Sequence, residues 1–215
     1  MKEKNGRCVI IGGATISNYE IIRSYFRSND FFVFCDGGLC HEKALGVSAD
    51  LIVGDFDSHP NPQRDAETIV LPREKDDTDT VFAAKEGLRR GFDDFLLVGV
   101  VGGRLDHTIA NLGILLFLDN NGKKALLVDD CSQMEVVGEK PIFVEDDFAY
   151  FSLVNVFGEM GKINIENSKF PLKDGEIRAD YQYGVSNEVL PGKIAKIAVG
   201  KGKGLLIKIR RNKIQ

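Results

Sequence analysis

The sequence predicts an α/β protein: a doubly wound, mostly parallel sheet in an N-terminal domain, then a smaller all-β sandwich or barrel-like C-terminal domain. Three observations predict it. Over the first 130 residues, short apolar runs alternate with helical patterns, the signature of strand–helix–strand units. Those runs are β-branched or aromatic and apolar on both faces, as strands covered by helices on two sides must be. Beyond residue 130, short strand patterns succeed one another between Gly, Pro, Asp and Asn, and helical spacing disappears.

In chain order, the expected strands of the first part cover residues 7–11, 31–35, 51–53, 68–71, 95–100 and 124–129. Helical spacing marks 18–28, 39–46, 78–90 and 107–120. In the third helix Val81, Ala84 and Leu88 fall on one face, and Thr78 stands where an N-cap is needed. The second part offers strands at 133–137, 141–144, 150–155, 161–166, 176–179, 184–189, 194–199 and 205–209. Gly200-Lys201-Gly202-Lys203-Gly204 reads as a hairpin turn; it lacks the spacing, the Ser/Thr and the following helix of a Walker loop. The boundary is expected at 128–133, giving domains 1–130 and 131–215 with no flexible linker and no internal repeat. The basic run 208–213 reads as a solvated tail.

Composition removes several classes of function. At 215 residues and 43% hydrophobic content the chain buries a core without disulfide or metal staples. Acidic residues number 32 against 28 basic, a net charge of −4, which argues against nucleic acid as a partner. No segment approaches the roughly 20 apolar residues that cross a bilayer, and the apolar run at 8–11 is too short for a signal peptide. Cys8, Cys35, Cys40 and Cys131 form no C-x-x-C pair; Cys8, Cys35 and Cys131 sit in or beside apolar strand-like runs as small buried hydrophobes. A cytoplasmic protein with reduced thiols is the expectation. With three histidines and no Cys/His cluster, structural zinc is disfavoured.

Ligands of an open α/β sheet sit beyond the carboxyl ends of its strands. Here each strand leads into glycine, carboxylate or both: Gly12-Gly13, Asp36-Gly37-Gly38, Gly54-Asp55-Phe56-Asp57-Ser58, Lys75-Asp76-Asp77-Thr78-Asp79, and Gly102-Gly103-Arg104-Leu105-Asp106-His107. Two carboxylates about 4 Å apart repel by roughly 4 kcal/mol at an effective dielectric near 20, so several gathered on one rim call for a hard cation. All-oxygen donors favour Mg²⁺, which bridges carboxylates to substrate phosphates. An extended Asp55-Phe56-Asp57 would aim both carboxylates one way and Phe56 back into the core. The glycine pairs lie between strand and helix, where backbone N–H groups attract phosphate, and Arg104 offers a planar fork. Asn111 stands one turn below His107 on the same helix face. His41 and His59 lack an evident partner and read as surface residues. No Ser-His-Asp or Cys-His arrangement can be built from spacing, which disfavours covalent nucleophilic catalysis.

Taken together and in order, these segments resemble the thiamine pyrophosphokinase (thiamin diphosphokinase) family. The match runs through Cys35-Asp36-Gly37-Gly38, Gly54-Asp55-Phe56-Asp57-Ser58, Lys75-Asp76-Asp77-Thr78-Asp79 and Gly102-Gly103-Arg104-Leu105-Asp106-His107 with Asn111, and ends with Gly184-Val185-Ser186-Asn187-Glu188. The resemblance implies an α/β catalytic domain that binds ATP and Mg²⁺, a β domain that binds thiamine, and a homodimer with active sites between subunits. It implies the reaction ATP + thiamine → AMP + thiamine diphosphate. Asp55, Asp57 and Asp79 are then the metal and triphosphate acids, and Asp76 a further catalytic carboxylate that orients or deprotonates the thiamine hydroxyl. Gly12, Gly13, Asp36, Gly37, Gly38, Gly102, Gly103, Arg104, Asp106, His107 and Asn111 hold the nucleotide. Lys75, Ser186 and Asn187 lie by thiamine, with Phe170 the nearest stacking aromatic in a chain that has no tryptophan. A pyrophosphokinase for another alcohol such as a pterin, a non-enzymatic nucleotide or thiamine-binding regulator, and a Mg²⁺ phosphohydrolase are the competing readings.

Overall fold

The computed structural model describes residues 6–56, 66–74 and 76–211. The chain divides into two compact units, residues 1–130 and 131–215. The first unit carries six strands: β1 Cys8–Ile11, β2 Phe31–Cys35, β3 Leu51–Gly54, β4 Glu67–Val70, β5 Asp94–Val98 and β6 Lys124–Val128. They pair in parallel in the order β4-β3-β2-β1-β5-β6. Strand order therefore reverses between β1 and β5, where Ile11 stands beside Phe34 on one side and Val98 on the other. β1 and β3 are buried along their whole length, as their unbroken apolar runs require. Edge strand β4 instead leaves Glu67 and Val70 exposed.

The helices are shorter at the front of the chain than their patterns suggest. α1 covers only Tyr19–Arg23, not 18–28. Asn18 caps it by accepting from the Ile21 N–H at 3.2 Å, and the Asp130 carboxylate takes the Ser17 and Asn18 N–H groups. It ends early because a buried ion pair intervenes: Arg7 reaches both oxygens of Asp30 at 3.1 and 2.8 Å and also takes the Tyr25 carbonyl. Asp30 also accepts the Arg27 N–H at 2.8 Å, a donor that a continuing helix would give to the Arg23 carbonyl. The expected helix at 39–46 is a 3₁₀ turn, Asp36–His41, running into the single turn α2, Glu42–Leu45. α3 covers Asp79–Arg89, capped by the Thr78 hydroxyl on the Val81 N–H, and buries Ala83, Ala84 and Gly87; Val81 and Leu88 are half-buried. α4 covers Leu105–Asn120, starting two residues before its pattern.

The second unit is a β sandwich. One antiparallel layer joins β7 (Ser132–Val137), β13 (Gly204–Arg210) and β9 (Phe148–Val154), with β13 in the middle. The other runs in the order β11 (Leu172–Glu176), β10 (Met160–Glu166), β12 (Ile194–Gly202), β8 (Ile142–Glu145). Alternate residues Ala195, Ile197 and Val199 of β12 face Phe151, Leu153 and Leu206 across the core.

Three expectations need correction here. Residues 184–189 form no strand: Asn187 with Phe151 and Val189 with Ser168 are isolated bridges, and Ser186 at φ 59° interrupts extension. The strand expected at 176–179 lies earlier, as β11. Residues 200–204 are no hairpin: β12 pairs with β10 and β8 while β13 pairs with β7 and β9, so the chain crosses there from one layer to the other.

Candidate active site

A cavity of about 430 Å³ opens at the reversal between β1 and β5, where an open α/β sheet is expected to bind ligands. Gly12, Gly13, Ala14 and Thr15 come from the loop after β1, and Asp36 and Gly37 from the turn after β2. The start of α3 supplies Thr78, Asp79 and Thr80, while Gly99, Val100, Gly102 and Gly103 come after β5. Arg104, His107 and Asn111 close it from the start of α4. The walls approach so closely that only glycine fits: a Cβ on Gly13 would lie 2.9 Å from the Gly37 carbonyl carbon.

Beside this cavity three acids converge. Asp36, Asp55 and Asp79 bring one carboxylate oxygen each within 4.8 Å of one another, with Asp36 buried and the other two half-buried. They come from three separate elements: Asp36 follows β2, Asp55 follows β3 and Asp79 opens α3. Gly54 makes room for the innermost acid, since a Cβ there would lie 2.6 Å from the Cβ of Asp36. Three oxygen donors of like charge at this spacing suit a hard divalent cation, and they fit Mg²⁺ better than a nitrogen- or sulfur-seeking metal.

Asp55 and Asp79 are together as the sequence leads one to expect, but their third partner is Asp36, which the motif reading assigns to the nucleotide. Asp57, Lys75 and His59 lie outside the described residues. Phe56 has φ 57°, so this segment is not the extended strand that would aim alternate carboxylates alike, though Phe56 still packs on the first unit's core. Asp76 is exposed and is not among the cavity's wall residues; its neighbour Asp77 pairs with Lys85 at 2.6 Å. Gly38 also stands off the wall, pressed against the backbone of Ile11.

Arg104 and Asp106 form an exposed fork pair, at 3.2 and 2.5 Å, and Asp106 accepts from the His107 N–H. The guanidinium holds the Asp106 carboxyl down at about 2, so Asp106 serves Arg104 while Arg104 lines the cavity. Asn111 is buried and uses its amide inside the protein: it donates to the Val100 carbonyl at 2.8 Å and accepts from the Thr80 hydroxyl at 2.7 Å. It thus ties α4 to the start of α3, which carries Asp79.

In the second unit Phe170 is 60% exposed, with Lys169 over its ring at 5.7 Å. Buried Asn187 accepts from the Phe170 N–H at 3.0 Å and donates to the Phe170 carbonyl at 2.8 Å. Its side chain therefore acts as a strand-like clamp on this aromatic. The exposed Ser186 is held by its own N–H on the Ser152 hydroxyl at 3.0 Å.

Two residues depart from their sequence reading without being site candidates. His41 is buried, not on the surface, with both ring nitrogens engaged. Cys131 is exposed, not buried; it borders β7 without joining it. The partners of His41 lie at positions 14 and 19, outside any local pattern, so nothing in its own segment announces its burial.

Fold and site together define a class: an α/β domain with a glycine-walled cavity and a three-acid cluster, whose chemistry suits a phosphorylated ligand and a hard cation. Residues 22–127 match the family model described as "Thiamin pyrophosphokinase, catalytic domain". Over these residues the chain resembles the thiamin pyrophosphokinase family, in keeping with its motifs. It is 24% identical over 209 residues to the thiamine pyrophosphokinase of Bacillus subtilis (strain 168), covering 94% of this chain and 96% of that protein. The crystal structure of the thiamine pyrophosphokinase from Bacillus subtilis aligns with a TM-score of 0.83 at 20% identity, over 95% of this chain and 99% of that one. The thiamin pyrophosphokinase of Geobacillus thermodenitrificans gives 0.82 at 23%, over 97% and 100%. At these identities the structures establish a shared fold. No described helix is long and apolar enough to cross a membrane.

Proposed function

We propose that this protein is a thiamine diphosphokinase that transfers the diphosphoryl group of ATP to the hydroxyl of thiamine, giving thiamine diphosphate and AMP. The observation that carries the reading is the convergence of Asp36, Asp55 and Asp79 beside a glycine-walled cavity, in a domain that matches this family. Such a transfer asks little covalent chemistry of the protein; positioning and charge stabilisation dominate.

Asp36, Asp55 and Asp79 would hold Mg²⁺, with Asp57, two positions after Asp55 in the chain, as a fourth candidate. A cation there supplies charge screening for the triphosphate and for departing AMP. The backbones of Gly12, Gly13, Gly37, Gly102 and Gly103 admit phosphate oxygens to close range. Arg104 adds a bidentate donor whose direction Asp106 sets, and His107 a further donor at the start of α4. Asn111 keeps Asp79 in register through Thr80. Asp76 remains the candidate for orienting the thiamine hydroxyl, with Lys75 adjacent in the chain. Phe170, presented by Asn187 and flanked by Ser186, is the surface on which the cationic thiazolium stacks, a contact worth on the order of 0.5–2 kcal/mol. A homodimer with active sites between subunits and a cytoplasmic location complete the reading.

Incubation with ATP, Mg²⁺ and thiamine tests it, with AMP and thiamine diphosphate followed together. Equimolar appearance of both is expected. AMP release with another alcohol but not thiamine, phosphate release without any alcohol, or tight binding without AMP would each overturn it.

A further inference from the structure

His41 closes the 3₁₀ turn that opens with Asp36 and Gly37, and it reaches back to the loop after β1. Its Nε2 lies 3.0 Å from the Ala14 carbonyl oxygen and its Nδ1 2.9 Å from the Tyr19 hydroxyl. A carbonyl oxygen only accepts, so Nε2 carries the hydrogen, and Nδ1 accepts from Tyr19. The imidazole is neutral and fully used, and its burial, which pushes its pKa down, agrees with that state. Ala14 is held from its other end as well, its N–H donating to the Gly99 carbonyl at 2.8 Å.

In a planar trans peptide the C=O and the following N–H point in opposite directions. Fixing the Ala14 carbonyl on His41 therefore turns the Thr15 N–H away from His41. Thr15 is exposed, and it lines the cavity together with Gly12, Gly13 and Ala14. We propose that His41 is a positioning residue for the nucleotide: it locks the Ala14–Thr15 peptide so that the Thr15 N–H meets a phosphate group of ATP. This rests on the reading of the cavity as the ATP site. Because Asp36 and His41 belong to one turn, the clamp also keeps the anion-facing loop in step with the acid cluster.

The test compares wild type, His41→Phe, which keeps a ring and loses both hydrogen bonds, and His41→Gln, which keeps a donor within reach of Ala14. Loss of a donor to a charged group is expected to raise KM for ATP by about 10-fold or more in the Phe variant. KM for thiamine should stay within about twofold, and the Gln variant should recover most of the loss. In parallel, the Thr15 amide resonance is followed during titration with a non-hydrolysable ATP analogue and Mg²⁺. It should shift in wild type and in the Gln variant, and much less in the Phe variant. Should His41→Phe fail to fold, Tyr19→Phe, which removes the donor to Nδ1, should raise KM for ATP selectively. A Thr15 amide indifferent to nucleotide in wild type, both KM values rising together, or no recovery with Gln overturns the proposal. Wild-type enzyme that makes no AMP overturns the functional reading instead, and the Thr15 titration still decides the clamp.

Discussion

At Asp36 the distances are set by a missing methyl: Gly54 lies beneath it, and a Cβ there would sit 2.6 Å from its own. Gly54→Ala should displace this carboxylate and lower Mg²⁺ affinity at least 10-fold with little change in the secondary structure seen by circular dichroism; unchanged affinity would mean Asp36 is not a ligand. Asp55→Asn is expected to cut turnover at least 10²-fold while leaving the melting temperature near that of wild type, because the cation that would screen the departing charge loses a ligand. Near-normal steady-state rates would remove Asp55 from the mechanism. His41 carries a pH signature. Burial holds its folded pKa below the ordinary value near 6.5, so the unfolded chain binds the proton first as pH falls. Stability should hold above about pH 6.5 and decline below it, through the lower folded value. Thermal melts from about pH 7.5 to 5.5 should show this decline in wild type and a smaller one in His41→Phe. At this scale the sequence is most legible for residues in short contiguous words, such as Asp55 and Asp79. It is least legible where a side chain's partner is distant in the chain: Asp36 joining the acids, His41 holding Ala14, Asn187 holding Phe170.

Among the elements, α3 shows why the acids keep their places. It starts on a Thr78 cap, buries Ala83, Ala84 and Gly87, and is tied to the edge strand through Arg90, which pairs with Glu86 at 2.7 Å and Glu67 at 2.5 Å. Arg90 holds the Glu67 carboxyl below the ordinary range, and Arg89 together with Arg90 does the same for Glu86. What these pairings contribute is therefore present above the unfolded carboxylate pKa and lost as pH falls through the depressed values. The segment from 184 to 189 shows the opposite case. Its β-like composition suggests a strand, yet Ser186 at φ 59° ends extension and delivers Asn187 to the Phe170 backbone. Phe170→Ala should weaken thiamine binding more than ATP binding in calorimetry, and Asn187→Ala should reproduce part of that loss. In the Phe170→Ala background Asn187→Ala should then cost little, as residues acting through one another are non-additive. Equal losses for both ligands would count against stacking. Strand existence is legible because apolar runs dictate it; α1 is overestimated because nothing local announces that Asp30, held by Arg7, takes the Arg27 N–H.

For the whole molecule, the parallel order β4-β3-β2-β1-β5-β6 explains why a chemistry-bearing residue comes after nearly every strand of the first unit. A parallel sheet brings all its carboxyl ends to one rim, and the reversal between β1 and β5 opens the crevice there. That logic is readable from alternation alone, whereas the crossing between sandwich layers at 200–204 is not, since a glycine-rich turn looks the same whether or not its flanking strands pair. Mg²⁺ should raise the melting temperature, with stabilisation of about 2.7 kcal/mol at a concentration 100 times its dissociation constant. The shift should vanish in Asp55→Asn/Asp79→Asn; a shift that persists there would place the ion elsewhere. Because Asp36, Asp55 and Asp79 belong to the turn after β2, the end of β3 and the start of α3, no fragment holding one of them can gather all three oxygens. A luminescent lanthanide seated among these three oxygens would consequently stay dark during early collapse and light up only when β2, β3 and α3 have docked, turning the three acids into a clock for the refolding of the first unit.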